Sequence, residues 1–104
     1  MKLVLMTYYI GLHDELAGAL SKLGVSRYTR WREVEGKCCR GDRHEGSQVW
    51  PGMNSALMVV VDADVARSIL SELVVFNRGR KEEGVDAYVL DVAEVALAGK
   101  EGPG

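Results

Sequence analysis

The chain lacks most of the features that mark a particular function. Its 104 residues contain no apolar run long enough to span a bilayer, where about 18 consecutive apolar residues are needed. Met1-Lys2-Leu3-Val4-Leu5-Met6 starts like a secretory leader, but Thr7-Tyr8-Tyr9 interrupts it and no small-residue cleavage site follows, so a soluble, cytoplasmic protein is expected. Charge of one sign is also missing. The formal net charge is -2 and the pI about 5.7, whereas phosphate-driven binding of nucleic acid leaves a basic footprint. Cysteine is scarce and badly placed for bridging, since Cys38 and Cys39 are neighbours and neighbouring cysteines seldom join without strain. A secreted disulfide framework is therefore not expected. There is no G-x-x-x-x-G-K-[ST], no H-E-x-x-H, no nucleophile-base motif and no carboxylate pair on an apolar helix face, so the sequence does not read as an enzyme.

What is present is a single domain, residues 1–98, followed by a flexible tail over 99–104. A chain this short buries only about two-thirds of its unfolded surface, which makes oligomerisation a reasonable source of stability. Lys2 to Ile10 is one apolar run, the pattern of a central strand buried on both faces. Gly11 ends it. His13-Asp14-Glu15 then opens a helix whose apolar positions Leu12, Leu16, Ala19, Leu20 and Leu23 recur at helical spacing, with Gly24 as its stop. Tyr28 to Glu35 alternates aromatic or β-branched residues with charges, as a strand with one wetter face does. Ser55 to Asp62 is a second buried strand. Asp62 or Asp64 is placed to cap a helix carrying Val65, Ala66, Ile69, Leu70, Leu73 and Val74 and running to about Phe76. Val85 to Val92 is the last strand.

The order β-α-β-β-α-β predicts an α+β fold, the ferredoxin-like split βαβ, with an antiparallel sheet and both helices on one of its faces. The other face is left bare. Trp31 and Tyr88 supply apolar surface there, so self-association through the sheet is expected.

One stretch does not fit the core. Residues 36–54 form a long glycine-rich loop with clustered charges, of a length more often functional than structural. Cys38, Cys39 and His44 within it offer thiolate and imidazole, the ligands that Zn or Cu(I) prefers, in a C-C-x4-H spacing. Lys37 and Arg40 beside the cysteines could instead lower a thiol pKa. Trp50, before Pro51 and Gly52, is read either as an anchor for the returning loop or, with Arg43, as a contact for a partner protein. Beyond the second helix lies a basic segment, Arg78, Gly79, Arg80 and Lys81, closed by Gly84. Its cations and backbone N-H groups could hold a phosphate or carboxylate, or could complement the dipole of the helix end. His13 reads as a surface residue in a first helical turn.

The passages LHDELAGALSKLGVSRYTRWREVEGK, SALMVVVDADVARSIL and VLDVAEV resemble the nitrogen-regulatory P-II signalling proteins over Met1 to about Val95. The specific parts are the Gly24-Val25 turn into the second strand, Val34-Glu35-Gly36 opening the loop, and Asp91-Val92-Ala93 beside the last strand. The resemblance implies a homotrimer packed through its sheets. It also implies three inter-subunit clefts in which the long loop of one subunit meets the short basic loop of its neighbour. There a small anion or nucleotide (ATP or ADP, with 2-oxoglutarate) would bind Gly36, Lys37, Arg40, Arg78, Gly79, Arg80, Lys81 and Gly84, and the loop would dock on a transporter or enzyme. Some positions depart from that pattern. Asp86 falls near the place of the phosphate-binding lysine, and Glu94-Val95-Ala96-Leu97-Ala98-Gly99 replaces phosphate-holding arginines, exchanging attraction for repulsion. The loop also lacks the tyrosine that is uridylylated in enteric members.

The reading is a P-II-like regulator that binds a small anionic effector and acts on a partner through residues 36–54. The alternative is a metal-binding trimer of the CutA type, which shares the architecture and would use Cys38, Cys39 and His44 for Zn or Cu. Cofactor-free enzymes on this fold, with His13 or His44 as base, have fold analogy alone as warrant.

Overall fold

The computed structural model describes residues 1–36, 54–80 and 83–98. Strand β1, Lys2–Tyr9, passes through a 3-10 turn, Ile10–Leu12, into helix α1, His13–Lys22. Strands β2, Thr29–Val34, and β3, Asn54–Val61, lead to helix α2, Ala63–Asn77, and strand β4, Val85–Asp91. All pairings are antiparallel and the sheet order is β2-β3-β1-β4. This is the split βαβ topology, in which β3 lies between the two strands joined by α1.

Alternation along the strands sorts the residues into two faces. Val4, Met6 and Tyr8 of β1 lie across from Val59, Leu57 and Ser55 of β3 and from Val89, Ala87 and Val85 of β4. This face meets the helices. Leu16 and Leu20 of α1 and Ala66, Ile69 and Leu73 of α2, spaced three or four apart, complete the core with Leu12 and Val25. The other face carries Leu3, Leu5, Met58 and Val60 on the two inner strands, flanked by Trp31 on β2 and Tyr88 and Leu90 on β4. Those three flanking side chains are about half exposed, at 45%, 55% and 51%. No helix among the described residues is long and apolar enough to cross a membrane.

The helix ends follow from local chemistry. At the end of α1, Val25 N-H donates to Leu20 O at 3.0 Å and Gly24 N-H to Ser21 O at 2.9 Å, the double bond of a Schellman motif. Gly24 adopts φ +84 there, a conformation that costs other residues about 1 kcal/mol or more. At the start of α2, Asp62 is the N-cap residue, yet its side chain makes no capping bond. Asp64 instead lies in the first turn, 3.7 Å from Arg67. The final strand is pinned at its far end by the exposed ion pair of Lys2 with Asp91, which holds the Asp91 carboxyl below its ordinary pKa.

Candidate functional site

One end of the sheet gathers the features that the sequence singled out. Tyr9 at the end of β1 lies across from Asn54, and Tyr8 lies across from both Ser55 and Val85. The two stems of the long loop and the turn that follows α2 therefore flank the same end of β1. Both stems are tied down. Asn54 Nδ2 donates to Gly36 O at 3.0 Å, and the fully buried Ser55 donates from Oγ to Arg32 O at 2.6 Å. The pairing of β2 with β3 shifts register between Trp31 and Val34, an irregularity of the kind that re-aims a strand end.

The turn after α2 is built from Asn77 to Arg80. Arg78 is extended at φ -63, ψ 133, Gly79 takes φ +79, and Arg80 N-H donates to Asn77 O at 3.0 Å. These are the marks of a type II turn, in which the third residue needs a positive φ. The Asn77 amide then grips both backbone groups of one β4 residue: Nδ2 donates to Val85 O at 3.0 Å and Oδ1 accepts from Val85 N-H at 2.8 Å. Gly84 is required beside it, because a Cβ there would stand 2.8 Å from Asn77 Oδ1. Asn77→Ala strands a half-buried donor and acceptor and is expected to cost about 1–3 kcal/mol, readable as a lower urea midpoint at unchanged slope.

The cations of this turn behave differently from one another. Arg78 is exposed. Arg80 is half-buried and engaged within its own subunit: its guanidinium lies 4.2 Å over the Phe76 ring, Nε donates to Phe76 O at 2.7 Å and Nη2 donates to Glu15 Oε2 at 3.2 Å. An anion that recruits Arg80 must compete with the Glu15 carboxylate. Gly79 and Gly84 serve the turn and the Asn77 clamp. Lys37, Cys38, Cys39, Arg40, Arg43, His44, Trp50 and Lys81 lie outside the described residues. Among the described residues, no group of three or more His, Cys, Asp or Glu is arranged to hold a metal.

A second cluster, which the sequence did not reveal, sits on the helix face of the same sheet end. His13, expected at the surface, is half-buried, and its Nδ1 lies 2.7 Å from the Tyr8 hydroxyl. The two rings stack at 5.9 Å between centroids, and Tyr28 meets His13 edge-on at 6.2 Å. Burial, with the charges of Arg30 and Arg32, lowers the His13 pKa against the opposing pull of Asp14. The Tyr8 hydroxyl and Nδ1 share one hydrogen bond, whose direction follows the tautomer of the neutral ring. Burial raises the Tyr8 pKa, opposed mainly by the Arg30 charge. Arg30 itself reaches Ser55 Oγ only at 3.4 Å, and its Nε is buried without a hydrogen-bond partner among the described residues. The available signal was the phase of β1: sharing a face with Val4 and Met6 forces the Tyr8 hydroxyl to find a partner inside.

This cluster has a pH signature. Because the folded pKa of His13 lies below its ordinary value of 6.5, the unfolded chain takes up a proton first as the pH falls. Stability is full above the unfolded value, declines as the pH drops through it, and levels off once the folded form protonates as well. His13→Gln is expected to flatten the decline in melting temperature between pH 7 and pH 5, measured at constant ionic strength.

No family model matches the chain, and no curated protein matches it. Among solved structures it is similar to a crystal structure described as a PII-like signaling protein from Thermus thermophilus. The identity is 31%, covering 88% of this chain and 85% of that one, with a TM-score of 0.63. At that identity over nearly the whole of both chains, and with the split βαβ topology in place, this chain belongs to the family of PII-like signaling proteins.

Proposed function

We propose that the chain is a PII-like regulatory protein. Its subunits form a homotrimer through the bare face of the sheet, and a small anionic effector binds where the loop stems of one subunit approach the 78–84 turn of its neighbour. Residues 36–54 then act on a partner protein, a transporter or an enzyme. The observation that supports this most is the convergence of both stems and the basic turn on one sheet end, each held by side-chain hydrogen bonds to a rigid frame. A rigid base under a long segment lets a small change at the cleft alter what the segment presents.

The effector is a compact anion rather than a triphosphate. Asp86, half-buried across from Thr7 on the bare face of the same sheet end, repels added negative charge, and Glu94 beyond β4 is exposed and acidic. A ligand that binds only the folded form at a hundred times its Kd stabilises by about 2.7 kcal/mol. Bicarbonate, 2-oxoacids and nucleotides are to be screened by thermal shift. The reading expects a rise of several degrees with bicarbonate or a 2-oxoacid, diminished in Arg78→Ala; a flat response across the panel, or a rise with nucleotides alone, rejects it.

A further inference from the structure

We infer that Arg30, His13, Tyr8 and Tyr28 form a seat for one carboxylate or phosphate group within each subunit, on the helix face at the root of the long loop. This seat is separate from the inter-subunit cleft and does not depend on it, because every residue named belongs to one chain.

Four observations carry the inference. First, Arg30 brings a guanidinium onto the face of the sheet that is otherwise core: it lies across from Leu57, and its Nε is buried and unpartnered among the described residues. A buried donor with no acceptor is an exception among native structures, and the Nη edge of the half-buried guanidinium remains a planar fork suited to two oxygens. Second, its ties to other side chains are loose: Nη2 reaches Ser55 Oγ at a long 3.4 Å, where the Ser55 proton is already committed to Arg32 O, and the guanidinium also leans on the Tyr8 hydroxyl. Third, the cations around it outweigh the one carboxylate. The charged groups acting on His13 are Arg30 and Arg32 from β2 and Asp14 from α1, and the cations prevail over the carboxylate. The start of α1, with no side-chain cap on Leu12, adds the positive end of a ten-residue helix. Fourth, the cluster reaches solvent. β2 is an edge strand, Arg30 and His13 are half-buried and Tyr28 is 39% exposed.

An oxyanion bound to the Arg30 fork would also favour the charged form of His13, in which both ring nitrogens donate and the Tyr8 oxygen accepts at Nδ1. Binding at this seat is thereby coupled to a proton and, through Ser55 and the Arg32 carbonyl, to both loop stems.

The test uses the imidazole proton resonances of His13, with His44 as internal reference, in the full chain. Sodium acetate and inorganic phosphate are titrated separately at constant ionic strength set with chloride. The expected result is a saturable His13 shift with at least one of the two, tighter by at least threefold at pH 6 than at pH 7.5. The anion that saturates at lower concentration identifies the preferred group. The response is lost in Arg30→Met, weakened about tenfold in Arg30→Lys, which keeps the charge but not the fork, and retained in Arg78→Ala. Arg30→Lys also serves as the folded variant if Arg30→Met does not fold. No saturation with either anion overturns the seat, as does a response that is the same in the wild type and in the Arg30 variants. Loss of the thermal response in Arg78→Ala with the His13 response intact separates this seat from the cleft.

Discussion

Replacing Tyr88 and Leu90 together by lysine is expected to convert the proposed homotrimer into separate, folded subunits, seen as a drop in mass by light scattering at an unchanged far-UV spectrum. Both positions lie on the bare side of β4, two residues apart, and both are about half exposed in the single subunit. Nothing in the subunit's own core depends on them. In the assembled state they would lie in an apolar sheet-to-sheet layer with Leu3, Leu5, Met58 and Val60. Each large apolar side chain contributes about 1.5–3 kcal/mol when fully buried, and the change removes two per subunit. It also asks an ammonium group to leave water, which costs several kcal/mol more unless the side chain escapes to the rim. Repeated around a closed ring, that sum exceeds what a small interface can absorb. Leu70→Lys is the control: it sits on the outer side of α2 at 37% exposure and is expected to leave the mass unchanged. A wild type that scatters as a single subunit would reject the proposed assembly and with it the shared cleft.

The apolar runs carried most of this in the sequence, for a reason that became visible only in the fold. Lys2 to Ile10 and Ser55 to Asp62 read as strands buried on both faces, but the helices of one subunit cover only Val4, Met6 and Tyr8 and their partners on β3. Leu3, Leu5, Met58 and Val60 remain for another surface to cover. The period of the pattern thus marked the strands, and its failure to alternate marked an apolar sheet face that the helices leave uncovered. Element limits were legible to within a residue or two. Ile10 goes to a 3-10 turn because Gly11 starts the reversal, and Asp62 occupies its cap position without using its carboxylate. What could not be read was any arrangement joining distant residues. Tyr8, His13, Tyr28, Arg30 and Ser55 meet only because β3 inserts between β1 and β2 and α1 crosses over them. Arg80 looked like a ligand for an anion by type, whereas its tie to Glu15, 65 positions away, depends on where α1 and the turn come to rest. Those are consequences of topology, which a local pattern does not encode.

The second large effect is expected in the core, at Leu57. It is fully buried, lies across from Met6 on one side and Arg30 on the other, and belongs to the cluster that also holds Leu16 of α1 and Ile69 of α2. Truncating it to alanine removes three carbons from a close-packed region where both helices rest on the sheet. Leucine-to-alanine changes at such sites cost about 2–5 kcal/mol, the spread reflecting how far the surroundings relax into the space. Here relaxation is limited on two sides. β3 is hydrogen-bonded to both neighbouring strands, so its backbone cannot move inward without breaking a ladder, and α1 is fixed at its C-terminus by the Gly24 turn. The upper part of that range is therefore expected, a large fraction of the about 5–15 kcal/mol that a domain of this kind possesses. Because the proposed assembly would add stability by mass action, the measurement belongs in the Tyr88→Lys and Leu90→Lys background, where urea unfolding at two protein concentrations must give the same midpoint. A cost below about 1 kcal/mol there would mean that Leu57 is not packed between sheet and helices. Leu70→Ala, on the outer side of α2, is expected to change the midpoint by no more than about 0.5 kcal/mol in the same background.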